Sequence, residues 1–361
     1  MITTLTLTDF RNHTASRIVA GAGKNIVITG PNGAGKTAVL EAISMLGGDR
    51  GLRGAPMTEI ARFAPDFVAG RMAPAGGFSV FAELADDTEI SVCFNPGDSN
   101  RRARVDGDNA ALSDLSSRLR IVWLTPREDR LFVDSASERR AFFDRLVSSF
   151  DHVHSGRVAK LSKLLSERGF ALKSGADTDW LAALDVQIAR TAVAVAAARI
   201  RYAGEINYFF KNCAVSVSGP VESLVLNGTA ADAEGTYLNY LAANRELQGD
   251  KMLVDGAHKS DFGVYNNALK LPASLTSTGQ QKAVLIDLIL AHAKLVRARA
   301  GKTPLVLLDE AAAHLDAAAR ARMFDELGKS GAQVWATGLD RDTFAYVPDA
   351  IFVACDNGKI I

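Results

Sequence analysis

The 361-residue sequence predicts an α/β fold in which a mixed sheet is combined with an antiparallel β subdomain and an inserted helical lobe. A β-branched run at 25–29 leads into a glycine-rich loop, and a helical pattern begins at Lys36. A second apolar run, 305–308, ends in two acids. Between these elements, 179–202 lacks Gly and Pro and repeats apolar residues at three- and four-residue steps, which predicts a long helix.

The bulk properties are those of an ordinary globular protein, with 48% apolar and 23% charged residues. The 41 basic residues balance the 41 acidic ones, so a strongly basic whole-protein signature for nucleic acid is excluded. The start has no signal-peptide pattern, and the most apolar candidate span, 283–296, is interrupted by Asp287, His292 and Lys294. We therefore expect a cytoplasmic protein with no membrane partner and with free thiols.

Two kinds of pattern suggest a discontinuous domain organisation. The alternating segments 3–9, 78–84 and 89–94 predict strands of an antiparallel sheet. Helical patterns dominate after Pro126 and end near Asn212, where strand-like residues return. The sequence therefore predicts a head made of 1–125 and 212–361, with 126–211 inserted as a helical lobe.

The glycine-rich loop has the Gly-x-x-x-x-Gly-Lys-Thr pattern of a phosphate-binding loop. Glycines let the backbone N–H groups surround phosphates, and the following helix N-terminus favours anions. Lys36 would reach the β- and γ-phosphates of ATP, and the Thr37 hydroxyl would hold Mg²⁺. The predicted binding residues are Gly30, Pro31, Asn32, Gly33, Ala34, Gly35, Lys36 and Thr37.

The two acids that end the apolar run complete such a site. Asp309 would hold Mg²⁺, and Glu310 would orient or deprotonate the attacking water. Many buried strands end in an acid, so this signal gains its weight from the lysine loop, 272 positions earlier counted from Thr37 to Asp309. Lys36, Asp309 and Glu310 are therefore the predicted catalytic residues.

A third element, Ser277-Thr-Gly-Gln280, precedes the apolar helical pattern at 283–296. A serine hydroxyl, the Gly279 amide and a helix N-terminus form a second anion-binding surface. Such a surface in a second copy of the chain would close over the γ-phosphate, with Ser277, Gly279 and Gln280 as nucleotide contacts. The alternative is that Ser277 only caps its helix.

Taken in order, these elements and the following His314-Leu-Asp316 resemble the ABC-type P-loop NTPase head. The resemblance implies that Asp316 contacts the partner across an ATP-dependent homodimer. Arg11 is a further candidate nucleotide contact, near the adenine; a surface charge at a strand end is the equal alternative.

Four further segments resemble the RecF family of bacterial recombination-repair proteins. They are Leu-Thr-Leu-Thr-Asp-Phe-Arg-Asn at 5–12, Thr-Pro-Arg-Glu-Asp at 125–129, Arg-Arg-Ala-Phe-Phe-Asp at 139–144 and Gly-Ala-His-Lys-Ser-Asp at 256–261. The likeness covers nearly the whole length. It implies an ATP-closed dimer that binds double-stranded and gapped DNA and helps to load recombinase, with RecR and RecO as partners.

Some positions depart from the related patterns. No glutamine precedes Gln187, and Gly338 stands where transporter ATPases carry a switch histidine. Ala257 and Lys259 replace residues of the family segment around His258. The first two departures predict slow ATP hydrolysis that acts as a timer.

Basic residues suggest where DNA could bind. Residues 139–211 contain twelve Lys/Arg against seven Asp/Glu, and Arg101, Arg102 and Arg104 lie in the β region. Such cations contact phosphates without reading bases. The competing hypothesis is a motor subunit of a transporter-like ABC system, which the 241 residues between Lys36 and Ser277 disfavour because a compact motor domain needs far fewer.

Overall fold

The computed structural model describes residues 1–48, 51–62, 76–98, 100–245, 254–311, 315 and 317–361. These residues form two compact units. The head unit comprises Met1–Asp129 and Leu285–Ile361, and the middle unit comprises Arg130–Val284.

The head unit contains an antiparallel six-stranded sheet in the order β2-β1-β4-β5-β6-β7. Its inward residues alternate with residues of the opposite face, so β4 shows strict alternation of buried and half-buried positions. The strands are β1 (Ile2–Phe10), β2 (His13–Val19), β4 (Phe78–Leu84), β5 (Glu89–Phe94), β6 (Arg102–Val105) and β7 (Asp108–Ala110).

A second six-stranded sheet of the head unit has the order β15-β14-β3-β13-β12-β8. All its pairs are parallel except the terminal β14–β15 hairpin. β3, β12 and β13 are almost entirely buried, as expected for parallel strands covered on both faces. The strands are β3 (Asn25–Thr29), β8 (Ile121–Leu124), β12 (Leu305–Asp309), β13 (Val334–Gly338), β14 (Ala350–Asp356) and β15 (Lys359–Ile360).

One buried apolar cluster joins both sheets of the head unit. Helix α1 contributes nine buried residues out of ten, so the helix that follows the phosphate loop lies in the centre of the core. The helices that include head-unit residues are α1 (Lys36–Met45), α2 (Met57–Ile60), α3 (Leu112–Arg118), α9 (Thr278–Ala300) and α10 (Ala317–Ser330).

In the described residues of the middle unit, five α-helices are combined with a three-stranded antiparallel sheet, β11-β10-β9. Its elements are α4 (Ala136–Phe150), α5 (His154–Lys173), α6 (Thr178–Phe209), β9 (Cys213–Ser218), α7 (Pro220–Asn227), α8 (Ala230–Ala243), β10 (Asp261–Asn266) and β11 (Leu271–Pro272). A second apolar cluster, drawn from α5, α6, α7 and α8, forms the core of this unit.

The predicted boundaries of the inserted lobe differ from the observed ones. The lobe was expected to end at 211, but the compact unit continues to Val284. The prediction places the strand that begins at Cys213 in the head. This strand, β9, belongs to the middle unit, because it pairs with β10 of that unit. Asn207 of α6 also exchanges two hydrogen bonds with Val215 of β9, which ties this strand to the long helix.

Helix α6 is long and apolar enough to cross a membrane by length and composition, and 61% of its most apolar window is buried. Among the described residues, α6 and not 283–296 is therefore the candidate span by this criterion. α6 carries Asp185 and Arg199, which are buried and ion-paired within the middle unit. We interpret it as the central helix of this unit, packed against α5, α7 and α8.

A buried ionic network joins two of the segments that resemble the RecF family. Arg199 forms ion pairs with Asp144 (2.8 Å) and Glu222 (3.3 Å), and it donates to the Ala257 carbonyl. Arg140 donates to the Ser260 carbonyl. The arginine-rich segment at 139–144 and the glycine-histidine segment at 256–261 therefore meet in one structural cluster of the middle unit.

Arg199 supplies the positive charge that offsets the cost of removing the carboxylates of Asp144 and Glu222 from water. Burial raises the pKa of Asp144, but the hydrogen bonds from His154 and Arg199 outweigh this and leave the pKa below its ordinary value. Because the folded-state pKa is lowered, this stabilisation is present at neutral pH and is lost as the pH falls through the range where Asp144 gains a proton.

We expect Arg199→Met to lower the free energy of unfolding of the middle unit by about 3–5 kcal/mol, because the buried Glu222 and the partly buried Asp144 lose the guanidinium that pairs with both. Urea unfolding at pH 7 measures the loss. The matched control is Arg201→Met on the same helix, since Arg201 is exposed and its ion pair with Asp151 should contribute about 0–1 kcal/mol. Equal losses in the two variants would contradict the assignment.

Candidate nucleotide site

The glycine-rich loop lies between β3 and α1, and its glycines adopt conformations that other residues avoid. The φ angles are 152° at Gly30, 78° at Gly33 and 111° at Gly35. A Cβ atom at Gly30 would lie 2.1 Å from the Cys355 carbonyl oxygen, so β14 leaves no room for a side chain there. Both the backbone angles and the close approach of β14 therefore explain the glycines.

The carbonyl groups of the loop are braced by hydrogen bonds from residues outside it. Asn12 donates from Nδ2 to the Ala34 carbonyl at 3.0 Å, and the His13 Nε2 lies 3.1 Å from the Gly35 carbonyl. The Gly358 N–H also donates to Ala34, at 2.8 Å. Sequence reasoning missed these braces. The adjacent polar residues Asn12 and His13 after β1 could have predicted them. The carbonyl groups of a buried loop need hydrogen-bond donors, and polar side chains in a neighbouring turn can supply these donors.

Lys36 is 5% exposed, and its side chain turns back into the loop. Its Nζ donates to the carbonyls of Gly30 (2.7 Å) and Pro31 (2.9 Å). An ammonium group has three donors, so one remains for a further acceptor. The predicted cation therefore lies inside the curve of the loop.

Thr37 and Asp309 meet as the sequence predicted, although 272 positions separate them. The Thr37 hydroxyl lies 2.9 and 3.1 Å from the two carboxylate oxygens of Asp309, which is 6% exposed. The contact arises because β12 places Asp309 at the carboxyl edge of the parallel sheet, where the loop after β3 also lies. Hydroxyl and carboxylate oxygens are hard ligands, which fits Mg²⁺.

Thr337 connects the two acids and was missed by sequence reasoning. It pairs with Asp309 in the β12–β13 register, and its hydroxyl donates to Asp309 Oδ1 at 2.7 Å. The Thr337 hydroxyl oxygen also accepts a hydrogen bond from the Glu310 N–H at 3.1 Å. Glu310 has a left-handed backbone, with φ of 50°, so this hydrogen bond holds the half-buried acid in an unusual conformation.

Gly338, the position of the absent switch histidine, is the last residue of β13. A Cβ atom there would lie 2.3 Å from the ring of Phe344, which is 1% exposed. The Phe344 ring therefore occupies the volume into which any side chain at 338 would point.

Arg11 forms an intramolecular ion pair. Its guanidinium donates to both carboxylate oxygens of Glu41, at 2.8 and 2.7 Å, and to the Glu59 carbonyl at 2.9 Å. Glu41 is 1% exposed and lies on α1, four residues after Thr37. Arg11 thus anchors the helix that follows the loop, and its contact with adenine stays a prediction.

Ser277 caps the N-terminus of α9, as the alternative interpretation held. Its hydroxyl accepts the Gln280 N–H at 3.4 Å, and its own N–H donates to Gln280 Oε1 at 3.0 Å. Ser277, Gly279 and Gln280 are all exposed. The cap leaves the serine hydroxyl at the surface of the middle unit. Asp316 lies outside the described residues.

The chain matches, over residues 1–360, the family model described as the RecF/RecN/SMC N terminal domain. The chain belongs to this family. It is 37% identical over 373 residues to the DNA replication and repair protein RecF of Rhizobium johnstonii, covering 99% of this chain and 97% of that protein. It is 38% identical over 377 residues to RecF of Mesorhizobium japonicum, with the same coverage.

Solved structures of the family share the fold. The recombination mediator protein RecF with ATP, of the RecFOR pathway, superposes with a TM-score of 0.81 at 21% identity, covering all of this chain and 98% of that one. The Smc head domain of Pyrococcus furiosus, bound to the C-terminal domain of ScpA, gives a TM-score of 0.54 at 16% identity, covering all of this chain and 95% of that one. The predicted fold, an ABC-type head combined with a helical lobe, is thereby confirmed.

We expect Gly338→His to lower the free energy of unfolding by about 1–3 kcal/mol, because the added side chain must displace the buried Phe344 ring. Thermal unfolding measures the loss. The control is Leu339→His at the next position, which is 59% exposed and should tolerate the change. A Gly338→His protein as stable as the control would contradict the steric explanation.

Proposed function

We propose that this protein binds ATP with Mg²⁺ between the loop at 30–37 and the acids at 309–310, and that it acts in recombinational DNA repair and the maintenance of replication forks. The observation that carries the proposal is the contact of the Thr37 hydroxyl with Asp309 beside the glycine-rich loop. This contact occurs in a chain that covers 97% of RecF proteins with which it shares 37–38% identity.

Each residue of the site would have a defined role. Lys36 would exchange its bonds to Gly30 and Pro31 for phosphate oxygens, and Thr37 and Asp309 would hold Mg²⁺. Glu310 would orient or deprotonate the attacking water. When bound, Mg-ATP supplies the phosphoanhydride bond and the metal charge that offsets the phosphates.

The exposed Ser277 segment would complete the site of a second copy. Ser277, Gly279 and Gln280 lie at the N-terminus of a 23-residue helix whose dipole favours an anion. In an ATP-dependent homodimer this surface would close over the γ-phosphate held by the partner's loop, and Asp316 would contact the partner nearby. The role of Ser277 does not require its helix cap to open, because Ser277 is exposed in the capped conformation.

The closed dimer would bind double-stranded and gapped DNA and help to load recombinase together with RecR and RecO. Slow ATP hydrolysis would then release it, and Gly338 supports a slow rate because no switch side chain fits at that position. These partners and processes belong to the cytoplasm. Membership of the RecF/RecN/SMC family favours this function over a transporter-like motor.

Light scattering of the purified protein with and without ATP tests the proposal. The wild-type mass should double from 38.5 kDa when ATP is added. Lys36→Ala should bind no ATP and stay monomeric, because the phosphates lose their cation. Glu310→Gln should bind ATP and accumulate as the dimer, because hydrolysis is blocked.

Ser277→Arg separates the composite site from simple nucleotide binding. We expect this variant to bind ATP with wild-type affinity but to stay monomeric, because an arginine side chain would block the approach to the partner's phosphates. Ser274→Arg, an exposed position three residues earlier, serves as the control and should dimerise. The proposal would be contradicted by an ATP-loaded wild-type protein that stays monomeric both in solution and on DNA.

Thr337 should set the Mg²⁺ requirement of hydrolysis. Removing a group that orients a metal ligand typically weakens metal affinity about 10–100-fold. Thr337→Val should therefore raise the Mg²⁺ concentration for half-maximal ATPase activity by about tenfold or more, whereas Thr337→Ser keeps the hydroxyl and should resemble wild type. Unchanged Mg²⁺ dependence in the valine variant, with an intact fold by circular dichroism, would refute this role.

A further inference from the structure

A single row of directly opposed residues crosses all six strands of the antiparallel sheet in the head unit. Each pair in the register places its two side chains on the same face of the sheet. In spatial order from β2 to β7, the row consists of Arg17, Thr6, Phe81, Ser91, Arg104 and Asn109. We refer to these six residues as the arginine row.

The arginine row lies on the solvent face of the sheet. The neighbours of its members along the strands point to the core, and Leu5, Leu7, Val80 and Val92 are all at most 1% exposed. Arg17, Arg104 and Asn109 are exposed, while Thr6, Phe81 and Ser91 are half-buried. The next row on the same face is also small and polar, consisting of Ala15, Thr8, Ser79, Cys93 and Arg102.

The charges on this face are unevenly distributed. Within the described part of the chain, no carboxylate lies within 4 Å of the Arg17 or Arg104 guanidinium, whereas Arg102 is paired with Asp98. The acids Glu83 and Glu89 oppose each other one row further along, on the other side of the arginine row from Arg102. The arginine row therefore combines two unpaired cations with hydroxyl groups, and the row that contains Glu83 and Glu89 is acidic.

The spacing of the two unpaired cations suits a double helix. Arg17 and Arg104 stand on strands that are four positions apart, which corresponds to about 19 Å at the usual strand spacing. Long arginine side chains at this separation can reach phosphates on both sides of a major groove that is about 12 Å wide. Between them, Thr6 and Ser91 offer hydroxyl groups that can donate hydrogen bonds to phosphate oxygens of the DNA backbone.

We propose that this face of the head unit binds the phosphate backbone of duplex DNA, with Arg17 and Arg104 as its principal contacts. The proposal rests on the proposed function, which requires DNA, and assigns the contact to the head rather than to the basic helices of the middle unit. Single-stranded DNA is disfavoured because Phe81 is the one aromatic in the row, and strand binders stack successive bases on several aromatics.

The test is fluorescence anisotropy of a labelled 30-base-pair duplex with the full chain and ATP, over a range of salt concentrations. Arg17→Ala/Arg104→Ala should weaken binding about tenfold per arginine near 0.1 M salt and reduce the slope of log affinity against log salt by about 2. The matched control is Arg118→Ala/Lys359→Ala, which removes two exposed cations elsewhere on the head unit and should change little.

Separate measurements distinguish the possible failures. ATP-dependent dimerisation by light scattering should be unchanged in both double variants, because none of the four residues belongs to the nucleotide site. A wild-type protein that binds no duplex at all would contradict the proposed function itself. Wild-type-like affinity and salt slope in Arg17→Ala/Arg104→Ala would overturn only the assignment of the surface.

Phe81→Ala provides a further check. Weaker binding to single-stranded DNA with unchanged affinity for the duplex fits a contact with the phosphate backbone. An equal loss of affinity for the duplex would also overturn the assignment.

Discussion

The hydroxyl–carboxylate contact between Thr37 and Asp309 depends on the register of three neighbouring strands, β3, β13 and β12. β3 and β12 both flank β13, so a shift of either strand by one residue would turn its terminal side chain to the opposite face. Thr337 on the central strand then fixes the carboxylate from the other side. The candidate site is therefore a property of the parallel sheet as a whole, since Asp309 and Thr337 lie at the ends of β12 and β13, and Lys36 and Thr37 lie in the first turn of α1.

The sequence was sufficient for elements with strong local signals. The strands at 25–29, 78–84 and 89–94 have the predicted bounds, and the helix predicted to begin at Lys36 does so. The pairing of Thr37 with Asp309 was also predicted, because a lysine loop and an acidic strand end each have a recognisable pattern and meet at the same sheet edge. The roles of Asn12, His13 and Thr337 were not predicted, since they depend on which strands and loops become neighbours in the fold, with partners 22 to 28 positions away in the sequence.

The misplaced boundary at 211 shows a different limitation. Residues 213–218 have the alternation of a strand, and the nearest predicted strands belonged to the head. Local patterns give the identity of an element but not its pairing partner, and here the partner, β10, lies some forty residues later. The buried cluster around Arg199 has the same origin, because its members come from three helices and a 3₁₀ turn.

The C-terminal hairpin has a consequence for the order in which the molecule can mature. The Cys355 thiol and the Gly358 N–H both reach the Ala34 carbonyl, more than 320 positions earlier in the chain. During synthesis the glycine-rich loop is made early, yet these two contacts cannot form until residue 358 has left the ribosome. A nascent chain of two or three hundred residues thus carries the loop without its final brace. The glycine-rich loop therefore gains its complete set of carbonyl hydrogen bonds only after both strands of the β14–β15 hairpin have been synthesised.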